Sequence, residues 1–184
     1  NEMKETRRGM EIIVIAVLAG LTAVLDIFAV IGFPTGILSV SAFYVSSAFY
    51  ILFIYLFGWK GVLGVYLGLI LSSVISGGFS LFPLYGAWGN VVASVVIVYG
   101  MKLLKRNCEL KKASDILVMA VLFLIAPAVS ALWVLGGWVV VGIIPGDAFW
   151  PAFIPWWIGG VCVYFIIGTP LMKFVAPLAK RFNL

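Results

Sequence analysis

Four tryptophans and a few polar side chains set in apolar sequence are the residues that could bind a ligand. The tryptophans lie inside long apolar runs and are Trp133, Trp138, Trp156 and Trp157. Indole rings stack on flat rings and attract cations over their faces. Asp26 and Asn90 add a carboxylate and an amide to equally apolar surroundings. These residue types favour the binding of a flat, neutral or cationic compound.

The residue types that catalysis or a metal site would need are missing. There is no histidine, which removes the commonest metal ligand and the usual proton shuttle near neutral pH. The sequence also lacks a P-loop, paired intramembrane carboxylates and a nucleophile beside a base. Cys108 and Cys162 fall in a basic loop and an apolar run, so we expect free thiols. We therefore predict no enzyme, no cofactor and no metal.

The composition predicts an all-α integral membrane protein. Of 184 residues, 64% are hydrophobic and only 10% are charged, more apolar surface than a soluble core of this length could absorb. The net charge of +5 comes from basic residues beside the apolar runs, so we expect no nucleic-acid partner. The first run is longer than the apolar part of a signal peptide, which predicts a retained helix.

Six transmembrane helices can be drawn in one domain, residues 1–184. The predicted spans are about 11–31, 37–57, 61–77, 85–104, 115–144 and 151–172. A membrane helix needs about 20 residues, so the third span is short and the fifth is long. Pro127 and the pair Gly136 and Gly137 should kink the fifth span.

The basic residues predict the orientation of these spans. With six crossings, all 12 lysines and arginines fall on one side of the membrane. Because cytoplasmic loops are enriched in Lys and Arg, both termini are predicted to be cytoplasmic, in the cell membrane. Asp26, Asn90 and the four tryptophans then lie in the outer halves of their spans, as do hydroxyl residues of span two that include Tyr44, Ser47 and Tyr50.

The presence of each of these residues can also be explained without a bound ligand. Tryptophan is enriched at membrane interfaces in general, and small hydroxyl residues pack between membrane helices. A carboxylate in a span must be solvated, paired or in a polar cavity. Asp26 is therefore either near the interface or facing a cavity with Asn90 or hydroxyl groups.

Small residues four apart mark two faces of the first span. Ala19 and Ala23 are nearly in line with Asp26 and are expected to pack into the bundle. Ala16 and Gly20 are rotated away from Asp26. Because small residues allow close helix approach, this second side is predicted to meet another protein.

Two stretches of the sequence carry a family resemblance. The first span, IIVIAVLAGLTAVL, and the run FGWKGVLGVYLGLILSSVISG, residues 57–77, look like the substrate-binding S component of energy-coupling-factor (ECF) transporters. The resemblance implies high-affinity capture of a vitamin-like nutrient from outside. It also implies docking, through the small residues of the first helix, onto a transmembrane T component with ATPase subunits.

The resemblance implies a pocket at the outer ends of the later helices. Carried over, this region holds Asn90 and the four tryptophans, with Phe33 and Tyr85 in the lid. No basic side chain is available there to bind a carboxylate or phosphate. A neutral or cationic nitrogen heterocycle, such as a thiamine-like compound, is therefore expected.

Two other classes of protein remain open. The segment WWIGGVCVYFIIGTPL also resembles the closing helix of MASE1-type membrane sensor domains, which usually have more spans and a cytoplasmic signalling domain. The second class is a structural membrane subunit, in which the aromatic residues form only an interfacial belt.

Overall fold

The computed structural model describes residues 2–28, 30–31, 43–77 and 82–181. Almost all of them are helical. The long helices are α1 (Glu2–Phe28), α2 (Ser46–Phe57), α3 (Trp59–Gly77), α4 (Phe82–Leu103), α5 (Ala113–Val140) and α6 (Phe149–Val163). Beyond α6 the chain stays helical through two π-helical turns, Tyr164–Gly168 and Leu171–Val175, into α7 (Ala176–Arg181).

Five helical segments of the described chain are long and apolar enough to cross a membrane. They are Arg8–Phe28, Trp59–Gly77, Leu84–Leu103, Ala113–Val140 and Gly146–Leu178. The chain is therefore a multi-pass helical membrane protein, and the predicted all-α class is confirmed. Which termini face the cytoplasm stays a prediction.

The second predicted span is much shorter in the structure. Residues 37–57 were expected to form one helix. Of these, residues 37–42 lie outside the described part of the chain, Phe43–Tyr44 form a strand and α2 begins at Ser46. Helix α2 has 12 residues, a length of about 18 Å at 1.5 Å per residue. That is less than the roughly 30 Å of hydrocarbon. Before α2, strand β2 (Phe43–Tyr44) pairs antiparallel with β1 (Val30–Ile31).

This small hairpin also explains why α1 ends earlier than predicted. The first span was drawn to residue 31, whereas α1 ends at Phe28 and Val30 pairs with Tyr44. Val30 and Ile31 are β-branched, which favours extended backbone. Gly32 follows them in the sequence, so helix propensity falls at this point.

Helices α1 and α3 pack closely through glycines. A Cβ atom built on Gly68 would lie 2.4 Å from Cβ of Thr22, and one built on Gly64 would lie 2.5 Å from Cβ of Leu18. Real side chains cannot come so close, so only glycine permits this spacing. The same packing buries Ala23.

Two further glycines draw α4 and α6 onto α5. A Cβ atom on Gly89 of α4 would lie 2.4 Å from Cγ2 of Val134, and one on Gly160 of α6 would lie 2.7 Å from Cβ of Pro127. Pro127 lies inside α5 and is buried. These contacts fix how the three helices that carry most of the site meet.

The ends of the last two long helices differ from the predicted spans. The fifth was drawn over residues 115–144, but α5 ends at Val140 and Gly142 adopts a φ of 74°, which favours glycine. The sixth was drawn over residues 151–172, whereas its helical segment continues to residue 181. Pro170 does not break this segment because the π-helical turns on either side accommodate it.

Candidate ligand-binding cavity

A cavity of about 130 Å³ lies where α2, α4, α5 and α6 meet beside the hairpin. Its lining residues are Tyr44, Ser47, Asn90, Pro127, Ser130, Trp138, Trp156 and Tyr164. Four are aromatic and three others carry polar side chains. An apolar hollow with a few polar groups is the usual form of a small-molecule site.

The glycine contacts explain how the polar residues reach the cavity. Gly89 lets α4 approach α5 so closely that its Cβ position lies 3.4 Å from Oγ of Ser130. Asn90, the next residue, therefore reaches the same cavity as Ser130. Gly160 brings α6 against Pro127 in the same way, and Trp156 lies one turn before Gly160.

The two tryptophans of the cavity are held by packing. Trp138 and Trp156 contact a small buried cluster that consists of Ala131, Leu135, Ile144 and Ala152. The cluster joins α5, the turn that follows it and α6. On the opposite side, Tyr44 packs edge-on against Tyr50, with ring centroids 6.2 Å apart.

Two buried polar atoms of lining residues have no hydrogen-bond partner in the described part of the chain. They are Oγ of Ser130 and Nε1 of Trp138. Leaving a buried polar group without a partner costs about 1–3 kcal/mol. An indole N–H can only donate, whereas a hydroxyl can donate and accept. A ligand with a suitable acceptor would satisfy both atoms.

The cavity has no charged side chain among its described lining residues. Among the side chains that the structure describes, the carboxylates, ammonium groups and guanidinium groups therefore lie elsewhere in the fold.

Three of the predicted site residues line the cavity: Asn90, Trp138 and Trp156. Trp157 does not, and its Nε1 donates a hydrogen bond to the carbonyl of Leu124 at 2.8 Å. That carbonyl is three residues before Pro127, in the turn where a proline disrupts the helical hydrogen bonds. Trp157 therefore joins α6 to α5. Phe33 lies outside the described residues.

Tyr85 and Trp133 lie together at a separate place. Their rings stack with centroids 5.5 Å apart, and the Tyr85 hydroxyl donates to the carbonyl of Trp133. Both line an exposed apolar groove of about 660 Å³ whose wall includes Trp138 and Gly137. Trp138 thus borders both the groove and the cavity.

Asp26 lies behind the cavity wall, among hydroxyl groups from two other helices. Its carboxylate accepts hydrogen bonds from the hydroxyls of Tyr50, at 3.0 Å, and of Ser72. Tyr50 separates it from Tyr44 and so from the cavity. Asp26 was expected either near the interface or facing a cavity with Asn90 or hydroxyl groups. The hydroxyl groups are present, but neither Asn90 nor the cavity is a direct neighbour of its carboxylate.

The sequence did not single out Pro127, Ser130 or Tyr164 as site residues, and Tyr44 and Ser47 only as polar residues of the outer half. A helical spacing signal was available for some of them. Pro127 and Trp138 are 11 residues apart, about three turns, and therefore share a face of α5. Tyr164 follows Trp156 by eight residues, a little over two turns.

The four small residues of α1 divide between two environments. Ala23 is buried, and the carbonyl of Ala19 lies against Gly68. Ala16 is exposed, and the Cβ position of Gly20 has nothing within 4 Å. The side of α1 that carries Ala16 and Gly20 is therefore open.

Comparison of the chain with protein-family models, with curated proteins and with solved structures found no match.

Proposed function

We propose that this membrane protein captures a small flat nutrient in the cavity between α2, α4, α5 and α6. The observation that carries the proposal is the cavity itself. Half of its described lining residues are aromatic and none is charged, and two of its polar atoms are buried without a partner among the described residues. Helix packing alone would favour filling such a space with apolar side chains.

We propose further that the protein acts as the substrate-binding S component of an ECF transporter. The family resemblance of residues 12–25 and 57–77 supports this role, as does the open side of α1. In this proposal the protein performs no catalysis itself. A T component docks on the side of α1 that carries Ala16 and Gly20, and ATPase subunits supply the energy for uptake.

The experiment is a titration of the purified full chain in lipid nanodiscs with a panel of vitamins and nucleobase-like compounds. Intrinsic tryptophan fluorescence is the first readout, because Trp138 and Trp156 line the cavity. We expect saturable quenching at or below micromolar concentration, equivalent to about 8 kcal/mol of binding. Calorimetry of the responding compound then gives the dissociation constant without dependence on fluorescence.

The matched variants are Trp156→Phe and Trp157→Phe, which change neighbouring residues in the same way. We expect the first to weaken binding about tenfold because it alters the cavity wall. The second should leave the dissociation constant unchanged, because Trp157 bonds to α5 outside the cavity. A flat response from folded protein across the whole panel would contradict the proposal and favour the sensor or structural alternatives.

A further inference from the structure

The size of the cavity limits what it can hold. Its volume is about 130 Å³, close to the roughly 150 Å³ of a known engineered protein cavity that binds benzene. Sites for larger ligands usually measure about 300–1,000 Å³. The cavity therefore suits one six-membered ring with one or two small substituents. A two-ring compound such as a thiamine would exceed it.

The absence of charged side chains among the described lining residues restricts the charge of the ligand. A carboxylate or an ammonium group buried in this cavity would lose its water without gaining an ion pair, which is strongly unfavourable. Asp26 does not change this, because its oxygens are already bonded to Tyr50 and Ser72. Attraction of a cation to the aromatic faces is too weak to replace the lost hydration.

The unpartnered atoms then specify where the ligand is polar. Nε1 of Trp138 is a donor only, so it needs an acceptor such as a carbonyl oxygen or a ring nitrogen. Oγ of Ser130 is equally buried and can bond to either a donor or an acceptor. Both residues line the same small space.

From these three limits we infer that the ligand is an uncharged single-ring compound that accepts a hydrogen bond from Trp138 and bonds to Ser130. The inference rests on the proposed binding function, since it specifies the ligand of the same cavity. It narrows the expectation from the sequence in two ways: cationic compounds and two-ring compounds are excluded.

The test uses a series of probes that share one ring and differ in charge and polarity. Benzamide is neutral and carries an acceptor, benzoate is an anion, benzylamine is a cation and toluene has no acceptor. Each is titrated calorimetrically into the full chain in nanodiscs, with empty nanodiscs as the blank. We expect benzamide to bind at least tenfold more tightly than each of the other three.

Two variants test the assigned hydrogen bonds. Trp138→Phe keeps an aromatic wall but removes the N–H, so benzamide should bind about three- to tenfold more weakly while toluene binding stays unchanged. Ser130→Ala should also weaken benzamide binding. Because it removes a buried hydroxyl that has no partner among the described residues, it should not lower the melting temperature of the ligand-free protein.

The outcomes separate this inference from the function on which it depends. Tighter binding of benzoate or benzylamine, or binding of a two-ring vitamin without binding of benzamide, would overturn the inference while the binding function stands. No binding of any probe or of any vitamin in the wider panel would overturn both. A lower melting temperature for Ser130→Ala with unchanged benzamide affinity would mean that the hydroxyl is structural and would remove it from the site.

Discussion

At the scale of single residues, Asp26 shows how a half-buried carboxylate of an apolar helix is bound by hydroxyl groups of neighbouring helices. Two hydroxyl groups from other helices, those of Tyr50 and Ser72, bond to its two oxygens. Both partner residues are buried. The carboxylate therefore connects α1 to α2 and α3. Its loss would leave the buried Tyr50 hydroxyl without its acceptor, whereas the Ser72 hydroxyl also bonds to the carbonyl of Leu69 at 2.9 Å.

We expect Asp26→Leu to lower the free energy of unfolding by about 1–3 kcal/mol, because leaving the buried Tyr50 hydroxyl unsatisfied costs about that much. Asp26→Asn should cost less, since its amide oxygen still accepts one hydrogen bond. Thermal unfolding in detergent measures both. Asp147→Asn, in an exposed turn, is the control. Equal stability of the Leu variant and the unchanged protein would contradict the role of Asp26 in joining the helices.

Some of the residues that line the cavity could be predicted from the sequence, and others could not. Hydropathy and the positions of basic residues placed Asn90, Trp138 and Trp156 at one end of the bundle, and these three line the cavity. The same reasoning could not separate Trp156 from Trp157. Which ring faces inward depends on the rotation of α6 against α5. That rotation is set by the contact of Gly160 with Pro127, a long-range contact that periodicity does not encode.

At the scale of elements, glycine contacts position the helices more than regular apolar stripes do. The predictions for α3 and α4 were close, because long apolar runs bounded by glycine, proline or charge identify membrane helices well. The prediction for α2 was wrong over residues 43–44, which form strand β2. Hydropathy reports how apolar a segment is, but it cannot distinguish a helix from an extended segment that pairs with another strand.

Gly68→Ala tests the packing of α1 on α3. The new methyl group would lie 2.4 Å from Cβ of Thr22 and 2.6 Å from the carbonyl oxygen of Ala19, so the helices must separate. We expect a loss of about 1–3 kcal/mol in unfolding free energy. Gly136→Ala is the matched control, since its Cβ position has nothing within 4 Å. It should be neutral or slightly stabilising. An equal loss of unfolding free energy in both variants would indicate that the effect of Gly68→Ala does not come from close packing of α1 on α3.

The open side of α1 makes a prediction about partner docking. Gly20→Leu adds a bulky side chain where the structure has empty space, so the protein should fold and bind ligand normally. Co-purification with a co-expressed T component should fall at least tenfold. Leu21→Phe, about 100° around the same helix and also exposed, is the control and should dock normally. Unchanged co-purification of the Gly20 variant would exclude this side of α1 as the docking surface.

At the scale of the whole molecule, the orientation in the membrane determines the side from which the cavity fills. Asp147 lies in the turn before α6, and Lys105 lies in the loop after α4; both are exposed. The positive-inside rule predicts that Lys105 is cytoplasmic and that Asp147 lies on the other side of the membrane. The cavity would then fill from outside the cell.

Cysteine labelling tests this orientation. The native thiols Cys108 and Cys162 are first replaced by alanine, and one new cysteine is introduced by Asp147→Cys or Lys105→Cys. A membrane-impermeant maleimide should label the first variant in intact cells and the second only after permeabilisation. The reverse pattern would place the cavity on the cytoplasmic side and contradict uptake from outside.

The π-helical turns after α6 affect how the chain tolerates changes in its length. In each turn a backbone N–H bonds to the carbonyl five residues earlier, as between Thr169 and Tyr164 and between Ala176 and Leu171. A π-helical turn holds one residue more than an α-helical turn and keeps the following helix in place. Deleting one residue, such as Ile166, would therefore convert the first turn to α-helix without rotating α7. The middle of α5 has no such extra residue. Deleting one residue there would rotate the rest of the helix by about 100°. The helical segment after α6 can thus lose a residue where α5 cannot.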